Sequence, residues 1–341
     1  MAHRAATVVA LLFLSLPLQA AVRVVSTTQL QGELADALDL RWSSEREIVL
    51  ALGRKGLARY DVDTRQSQRI VNGSRRDGFF YAARLGLSRG YIVPGSSFAA
   101  LAWMRNAPGA ALSSQIPFDM IVDLDVYGDK LAVLGARRAD DGRWAPEGAI
   151  VWVGTLSKGL SDLRPLHYSE TGSGAKALDR CHYFNTGTVR YLRDGSLIVI
   201  PAMETGVFVY DLSGKLIQTW DDDPIGFQHR CEFSQQQAYD LAIRPTEQWQ
   251  WLNARTILDD VIPLPNSIGI FTRKFSGGAM QWTLSVLRQG KVEQRIPLPF
   301  TGGERSFVRA DVRGKQIALL LVEYATSKTP DSARLAILEL P

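Results

Sequence analysis

The sequence predicts an all-β fold, and three observations carry this prediction. Apolar and polar residues alternate over short segments, tight turns containing Gly or Ser separate these segments, and the resulting hairpin recurs along the chain. With 46% hydrophobic and 22% charged residues, the composition is that of a globular protein large enough to bury a core without disulfides or metals.

The same hairpin shape recurs six times. Each copy joins an apolar strand through a tight turn to a second, more continuously apolar strand. The copies are Leu38–Leu52, Tyr81–Gly95, Ile121–Gly135, Thr188–Ala202, Asp260–Lys274 and Val308–Val322. Most intervals between their turns match the roughly 40–50 residues of a four-stranded blade. A radial repeat of this kind is typical of a β-propeller, for which we expect six blades.

Further strands follow several of these hairpins, as a four-stranded blade requires. They are Gly56–Val62 with Gln68–Val71, Ala149–Leu156, Gly206–Leu212 with Leu216–Trp220, and Met280–Leu287 with Lys291–Pro297. Two alternatives stay open: seven blades, if Phe227–Trp251 hides a degenerate one, or two packed β-sandwich domains.

The two ends of the mature chain each carry a lone strand, Val22–Leu30 and Ser332–Leu340. We expect the N-terminal strand to complete the sheet that the C-terminus builds. Such pairing closes the ring and hides a sheet edge that would otherwise invite aggregation.

One blade resembles a known repeat type. Asp194-Gly-Ser-Leu opens one strand, and Val209-Tyr-Asp-Leu-Ser-Gly-Lys215 closes a later hairpin, all within Arg193–Leu216. This pattern resembles a blade of the NHL/YVTN type, and Leu57–Asp61 repeats its third-strand half. The sequence departs from the type at Pro201 and Ala202. The resemblance implies a propeller fold and implies no activity.

Residues 1–20 read as a signal peptide. A short positive start (His3, Arg4) precedes an apolar run, Ala5–Leu16, and small residues follow at Ala20 and Ala21. The run is shorter than the roughly 20 residues that cross a bilayer, so we expect no transmembrane anchor. No cysteine lies near the cleavage point, which argues against a lipoprotein. We therefore expect a periplasmic or secreted protein whose residues 21–341 form one propeller domain, with loop insertions near 137–146, 158–179 and 221–259.

Charge and motifs exclude several functions. Lys and Arg number 39 against 35 Asp and Glu, a net charge of +4, but the basic residues are scattered, so we expect no nucleic-acid partner. The chain lacks the nucleophile-elbow, zinc-protease, phosphate-loop and dinucleotide motifs. We expect a monomer and a binding protein rather than an enzyme.

Cysteine and histidine form the most distinctive cluster. Cys181 and Cys231 each have an arginine and a histidine nearby, and both lie between a predicted outer strand and the next inner strand. In an oxidising compartment a disulfide between them is expected. The alternatives are a Cys2His2 zinc site and two free thiols. The residues proposed at this cluster are His182 and His229 as acid–base candidates, and Arg180 and Arg230 as ligand contacts. Glu204, a carboxylate that flanks a predicted inner strand, is a third acid–base candidate.

Carboxylates form a second candidate site. Asp125 alternates with Asp123 on a predicted inner strand, and Asp260 begins another. In lactonase-like propellers, carboxylates from the inner ends of several blades hold one divalent cation at the central mouth, so Asp125 and Asp260 are candidate ligands for a single cation. The alternative is that they are solvated loop carboxylates or turn caps. We expect no other cofactor.

Trp249 and Trp251 lie in the insertion at 221–259. Exposed aromatic rings on a polar loop suit the recognition of sugars or peptides, although such rings also pack an insertion onto its scaffold. The function predicted is that of an exported module that binds a protein or a glycan through long loops. The alternative is a metal-assisted hydrolase or lyase at the channel mouth.

Overall fold

The computed structural model describes residues 22–72, 90–94, 100–105, 112–118, 120–137, 148–155, 162–168, 187–201, 206–221, 225–226, 233–324 and 332–340. Within them, 23 strands form six sheets. Five sheets have four antiparallel strands, and one has three. The β-propeller class predicted from the sequence is therefore confirmed.

We number the sheets in chain order of their inner strands. Blade 1 contains β2 (Asp39–Trp42), β3 (Glu47–Ala51), β4 (Gly56–Asp61) and β5 (Ser67–Asn72). The three-stranded sheet 2 contains β6 (Gly90–Pro94), β7 (Ala100–Arg105) and β8 (Leu112–Pro117). Blade 3 contains β9 (Met120–Tyr127), β10 (Lys130–Ala136), β11 (Ala149–Thr155) and β12 (Arg164–Tyr168).

The remaining blades follow the same order from the inner to the outer strand. Blade 4 contains β13 (Thr188–Tyr191), β14 (Leu197–Ile200), β15 (Val207–Tyr210) and β16 (Leu216–Trp220). Blade 5 contains β17 (Thr256–Leu264), β18 (Ser267–Ser276), β19 (Ala279–Arg288) and β20 (Lys291–Gly302). Blade 6 contains β21 (Ser306–Arg313), β22 (Gln316–Glu323), β23 (Ser332–Glu339) and, as its outer strand, β1 (Arg23–Gln29).

Five of the six predicted hairpins are the paired inner and second strands of blades 1, 3, 4, 5 and 6. Of the sixth, Tyr81–Gly95, the structure describes only β6, and residues 81–89 lie outside the described residues. The predicted closure is also confirmed, because β1 pairs antiparallel with β23 from Arg23 opposite Glu339 to Gln29 opposite Arg334.

The core lies between neighbouring blades. Nearly every residue of β3, β10, β14 and β22 is buried. These strands are covered on both faces, which explains their continuous apolar runs. Separate apolar clusters fill the spaces between blades 3 and 4, 4 and 5, 5 and 6, and 6 and 1.

The insertion predicted at 221–259 differs from expectation. It contains two helices, α1 (Gln235–Ala242) and α2 (Pro245–Asn253), so the described part is neither a plain loop nor a degenerate seventh blade. Ser234 caps α1: its hydroxyl accepts from the backbone N–H of Gln237, whose side chain accepts from the backbone N–H of Ser234. Pro245 begins α2. The segment predicted as an insertion at 158–179 likewise contains β12, the outer strand of blade 3.

Two short 3-10 segments, Gly32–Asp36 and Gly53–Lys55, complete the described elements. No helix in the described residues is long and apolar enough to span a membrane. The predicted signal peptide, residues 1–20, lies outside the described residues.

Candidate functional site

The inner strands define the centre of the ring and run in one direction. The carboxylate of Asp123 accepts from the backbone N–H of Val189 at 3.1 Å, and that of Asp125 accepts from Tyr191 at 2.8 Å. A step of two residues on β9 therefore matches a step of two on β13, as in a parallel arrangement. Asp259 and Asp260 of β17 accept from Val308 and Ala310 of β21; here a step of one residue matches a step of two, because β17 has an irregularity between Leu258 and Asp260.

Two buried arginines link these carboxylates. Arg190 of β13, fully buried, donates to Asp123 at 2.7 Å on one side and to Asp260 at 2.9 Å on the other. It thereby connects blades 3, 4 and 5. We call Arg190, Asp123 and Asp260 the Arg190 group.

The second arginine joins a different set of blades. Arg41 of β2 donates to Asp125 of blade 3 at 2.7 Å and to Asp311 of blade 6 at 3.2 Å. Burial lowers the pKa of Arg41, but the carboxylates of Asp125 and Asp311 more than offset this, so the pKa is raised and the guanidinium stays charged. We call Arg41, Asp125 and Asp311 the Arg41 group.

Blades 5 and 6 share a further buried carboxylate, Asp259. It accepts from the indole N–H of Trp282 at 2.9 Å and from the backbone N–H of Val308 at 3.0 Å, and it lies 3.2 Å from Arg273. Burial nevertheless raises the pKa of Asp259. Asp259 therefore links blades 5 and 6 through hydrogen bonds, and it is buried.

The structure thus corrects the expectation that the inner carboxylates are solvated. Asp125 is 8% exposed and Asp260 is 0% exposed. The positive charge that faces each of them is an arginine, and backbone N–H groups occupy further lone pairs. In the described part of the chain, no group of three His, Cys, Asp or Glu side chains is arranged to hold a metal ion. Cation binding by Asp125 and Asp260 stays a prediction.

Glu204, between β14 and β15, falls outside the described residues. So does the whole predicted Cys/His cluster: Arg180, Cys181, His182, His229, Arg230 and Cys231. Their chain positions are defined by the strands around them. Segment 169–187 leads from β12, an outer strand, to β13, an inner strand, and segment 221–255 leads from β16 to β17. Both therefore connect an outer strand to the next inner strand, as predicted, and the disulfide itself stays a prediction.

Trp249 and Trp251 lie on α2 and are half-buried. The guanidinium carbon of Arg273 lies 5.5 Å from the ring centroid of Trp249, and that of Arg255 lies 3.9 Å from the ring of Trp251. Phe233 contacts Trp251 with ring centroids 5.0 Å apart. Through these contacts, the rings of Trp249 and Trp251 pack the helical segment onto blade 5.

Helix α1 instead presents apolar side chains to solvent. Tyr239 is 62% exposed, and Ile243, one turn later, is 58% exposed. At the end of α2, the side chain of Asn253 donates to the carbonyl of Glu304, in the connection between β20 and β21.

The direction of the inner strands gives the ring two different faces. At the turn face, inner strands end and pass to second strands through connections such as 128–129, 265–266 and 314–315. At the loop face, inner strands begin, and the connections there include 137–148, 169–187 and 221–255. The predicted Cys/His cluster, the tryptophans and α1 all belong to connections of the loop face.

Comparison with known proteins identifies the fold alone. No known family profile matches the sequence, and no curated protein matches it. A solved member of the duf4221 family from Bacteroides vulgatus superposes with a TM-score of 0.56 at 10% identity, over 95% of this chain and 99% of that one. A structural genomics protein of unknown function from Bacteroides thetaiotaomicron superposes with a TM-score of 0.50 at 10% identity, over 93% of this chain and 76% of that one.

The fold and these superpositions define the class of the protein, a β-propeller. At 10% identity the likeness carries no activity from the solved structures to this chain. The NHL/YVTN type stays a resemblance of one blade, whose residues form β14, β15 and the turn at Asp211–Lys215.

Sequence reasoning missed Arg41 and Arg190 as the partners of the carboxylates. A signal was present, because each arginine alternates with apolar residues on its inner strand: Leu40 and Trp42 flank Arg41, and Val189 and Tyr191 flank Arg190. A buried charge at such a position requires a partner of opposite charge.

Proposed function

We propose that this chain is an exported β-propeller that binds a protein or glycan partner through its loop face. The observation that carries the proposal is the unequal distribution of connections between the two faces. At the turn face, the connections 43–46, 128–129, 192–196, 265–266 and 314–315 have two to five residues, whereas the loop face has the connections 137–148, 169–187 and 221–255. Binding residues concentrate on loops held by a rigid scaffold, so the loop face is the favoured site.

The exposed side of α1 supplies a defined contact. Tyr239 on α1 and Ile243, the residue that follows its last turn, are exposed apolar side chains four positions apart, and a capping box stabilises the start of the helix. Aromatic residues are enriched in interfaces because they bury a large area at a small cost in side-chain entropy. In this proposal α1 contacts the partner, and Trp249 and Trp251 hold the helical segment against blade 5.

In this proposal, the Cys/His cluster forms a second part of the loop face. Arg180 and Arg230 belong to the connections 169–187 and 221–255, and a disulfide between Cys181 and Cys231 would join those connections. A bridge between them would reduce the entropy lost when the loops bind a partner.

The centre of the ring supports binding over hydrolysis. A hydrolase at the channel mouth requires carboxylates that are free to hold a cation or to transfer protons. Asp123, Asp125, Asp260 and Asp311 are instead engaged with Arg41 or Arg190.

A paired variant experiment tests the proposal. The purified chain is screened on a glycan array and used for capture from an extract of its own cell envelope, with bound proteins quantified by mass spectrometry. The loop-face variant is Tyr239→Ser with Ile243→Ser. The control is Leu216→Ser with Ile217→Ser, which removes two similarly exposed apolar residues (45% and 54%) from the outer strand of blade 4.

The proposal requires a glycan or protein that the wild type and the control retain and the loop-face variant loses, followed by calorimetry with that purified ligand. An affinity loss of about tenfold is expected from removing two exposed apolar contacts. If every captured ligand binds all three proteins equally, the loop face is not the binding site.

A further inference from the structure

A groove of about 450 Å³ lies between blades 6 and 1, where the N-terminal strand closes the ring. We call it the seam groove. Its lining includes Val25, Trp42 and Val62, three arginines (Arg46, Arg65 and Arg313) and two acidic residues (Glu45 and Asp63), a net charge of +1. It opens beside the turns of the turn face, so it shares no residue with the loop face.

Arg313 gives the groove a fixed positive charge. Its guanidinium donates to the carbonyl of Ser44 at 3.0 Å and to the side-chain oxygen of Gln316 at 2.6 Å. Its central carbon lies 4.3 Å from the ring centroid of Trp42. These three partners are uncharged, so they hold Arg313 in position without neutralising its charge.

Arg65 adds a second guanidinium at an unfavourable backbone position. Its φ is 59°, in the left-handed region that favours glycine. The matching turn of blade 4 has Gly214 at φ 86°. Both residues donate their backbone N–H to the aspartate that begins the turn, Asp61 or Asp211. A non-glycine residue in this conformation is a constraint often found at functional sites.

The rest of the lining combines a third arginine, two carboxylates and apolar walls. Arg46 contributes a third guanidinium, whose partner Asp63 lies 3.3 Å away in an exposed pair, with side chains 73% and 60% exposed. Exposed pairs of this kind are weak and exchange partners readily. Trp42 and Ile337, both buried, supply apolar walls.

We propose that the seam groove binds a small organic anion, with a carboxylate or phosphate group held by Arg65 and Arg313 and an apolar body against Trp42. A guanidinium binds either anionic group through two parallel hydrogen bonds. The volume lies within the range of small-molecule sites, about 300–1,000 Å³.

The matching cleft between blades 3 and 4 serves as an internal comparison. Its cavity is smaller, about 240 Å³, and its charged residues are balanced: Lys130 and Arg164 stand with Asp162 and Asp211. At the position of Arg65 it has Gly214, where a Cβ atom would approach Leu166 to 2.9 Å. The extra positive charge is thus a property of the seam groove and not of every junction between blades.

The test is a calorimetric titration of the purified chain with three probes of similar shape: benzoate, phenyl phosphate and neutral benzamide. Comparison of the two anions identifies which anionic group the groove prefers. Arg65→Gly removes a guanidinium and relieves the left-handed strain, so it should leave thermal stability equal or higher. Asp63→Asn frees Arg46 from its carboxylate. Arg244→Gln, at an exposed arginine between the two helices of the loop face, is the matched control.

We expect at least one anion to bind and benzamide not to bind. Arg65→Gly should weaken the anion about tenfold, Asp63→Asn should strengthen it a few-fold, and Arg244→Gln should leave it unchanged. The proposal is overturned if neither anion binds at millimolar concentration, if benzamide binds as well, or if Arg65→Gly has no effect. None of these outcomes bears on the loop face, because the two sites lie on different faces.

Discussion

The Arg190 group and the Arg41 group use the same chemistry in different positions of the ring. Arg190 connects three blades that are consecutive along the chain, blades 3, 4 and 5. Arg41 connects blade 1 to blade 6 and also to blade 3, which lies beyond sheet 2 in chain order. The Arg190 group thus joins consecutive blades. The Arg41 group joins blades 1 and 3, which flank sheet 2 in chain order, and in sheet 2 the structure describes only three strands.

The two groups also differ in burial. The side chains of Arg190 and Asp260 are both 0% exposed, whereas those of Arg41, Asp125 and Asp311 are between 9% and 13% exposed. Since an unpaired charge is more destabilising where water is further away, the Arg190 group should be the more sensitive to loss of its cation.

The largest effect is expected from Arg190→Met. It removes the cation that Asp123 and Asp260 share inside the ring, and the free energy of unfolding should fall by about 3–5 kcal/mol. Urea unfolding followed by tryptophan fluorescence measures this change. The additional substitution Asp260→Asn should recover part of the loss. A loss below about 1 kcal/mol would mean that the pairs contribute little to the ring.

Arg41→Met should cost less, about 2–3 kcal/mol, because water reaches Asp125 and Asp311 more easily. Hydrogen exchange should increase in β2 and β9, the strands that Arg41 joins. Equal losses for Arg41→Met and Arg190→Met would show that burial does not set the difference between the two groups.

A contact far from the centre gives a reference for both groups. Gly290 has φ 77°, and a Cβ atom there would lie 2.5 Å from the ring of Trp220 in blade 4. Gly290→Ala should therefore destabilise the protein by about 2 kcal/mol. Gly314→Ala, at φ 60° with no atom within 4 Å, carries only the backbone cost of about 1 kcal/mol. Thermal unfolding of the pair measures the difference; no difference would argue against packing at the outer junction of blades 4 and 5.

The smallest effect on stability is expected at Asp194, an exposed carboxylate, in contrast to the buried carboxylates of the ring. A hydrogen bond from the Ser196 hydroxyl lowers the pKa of Asp194 below its ordinary value of 3.8. The stability it contributes is therefore present above pH 3.8 and is lost as the pH falls through the lowered pKa. Asp194→Asn should reduce stability by less than about 0.5 kcal/mol near neutral pH, and the difference should vanish in acid. If the stability difference between wild type and Asp194→Asn persisted in acid, its cause would be the asparagine side chain and not the loss of the Asp194 charge.

The strands could be predicted from the sequence because their residue pattern is local. Alternation and turn glycines lie within about 15 residues of each other, and Leu38–Leu52 or Val308–Val322 carry the full signal of a hairpin. The helices at 235–253 were also within reach, because Ser234 and Gln237 have the spacing of a capping box and Pro245 marks a helix start.

The ion pairs could not be predicted in the same way. Asp125 and Arg41 are 84 residues apart, and they meet only because blades 1 and 3 both face the centre. Alternating aspartates on an inner strand have the same local pattern whether they bind a cation or an arginine. The difference lies in the register between blades, which a single sequence does not contain.

The pairing of β1 with β23 has a consequence for folding. Arg23 and Glu339, which face each other in this sheet, are separated by 316 residues, so the pairing is among the least local contacts in the molecule. Contacts of such high sequence separation form slowly, because the entropy of closing the loop is lost before the contact can stabilise it. During synthesis β1 is made early, and its backbone N–H and C=O groups stay unpaired until β23 has been made. Over this interval the chain is most open to pairing with another copy of itself, and rapid, dilute refolding should favour the closed ring over aggregates.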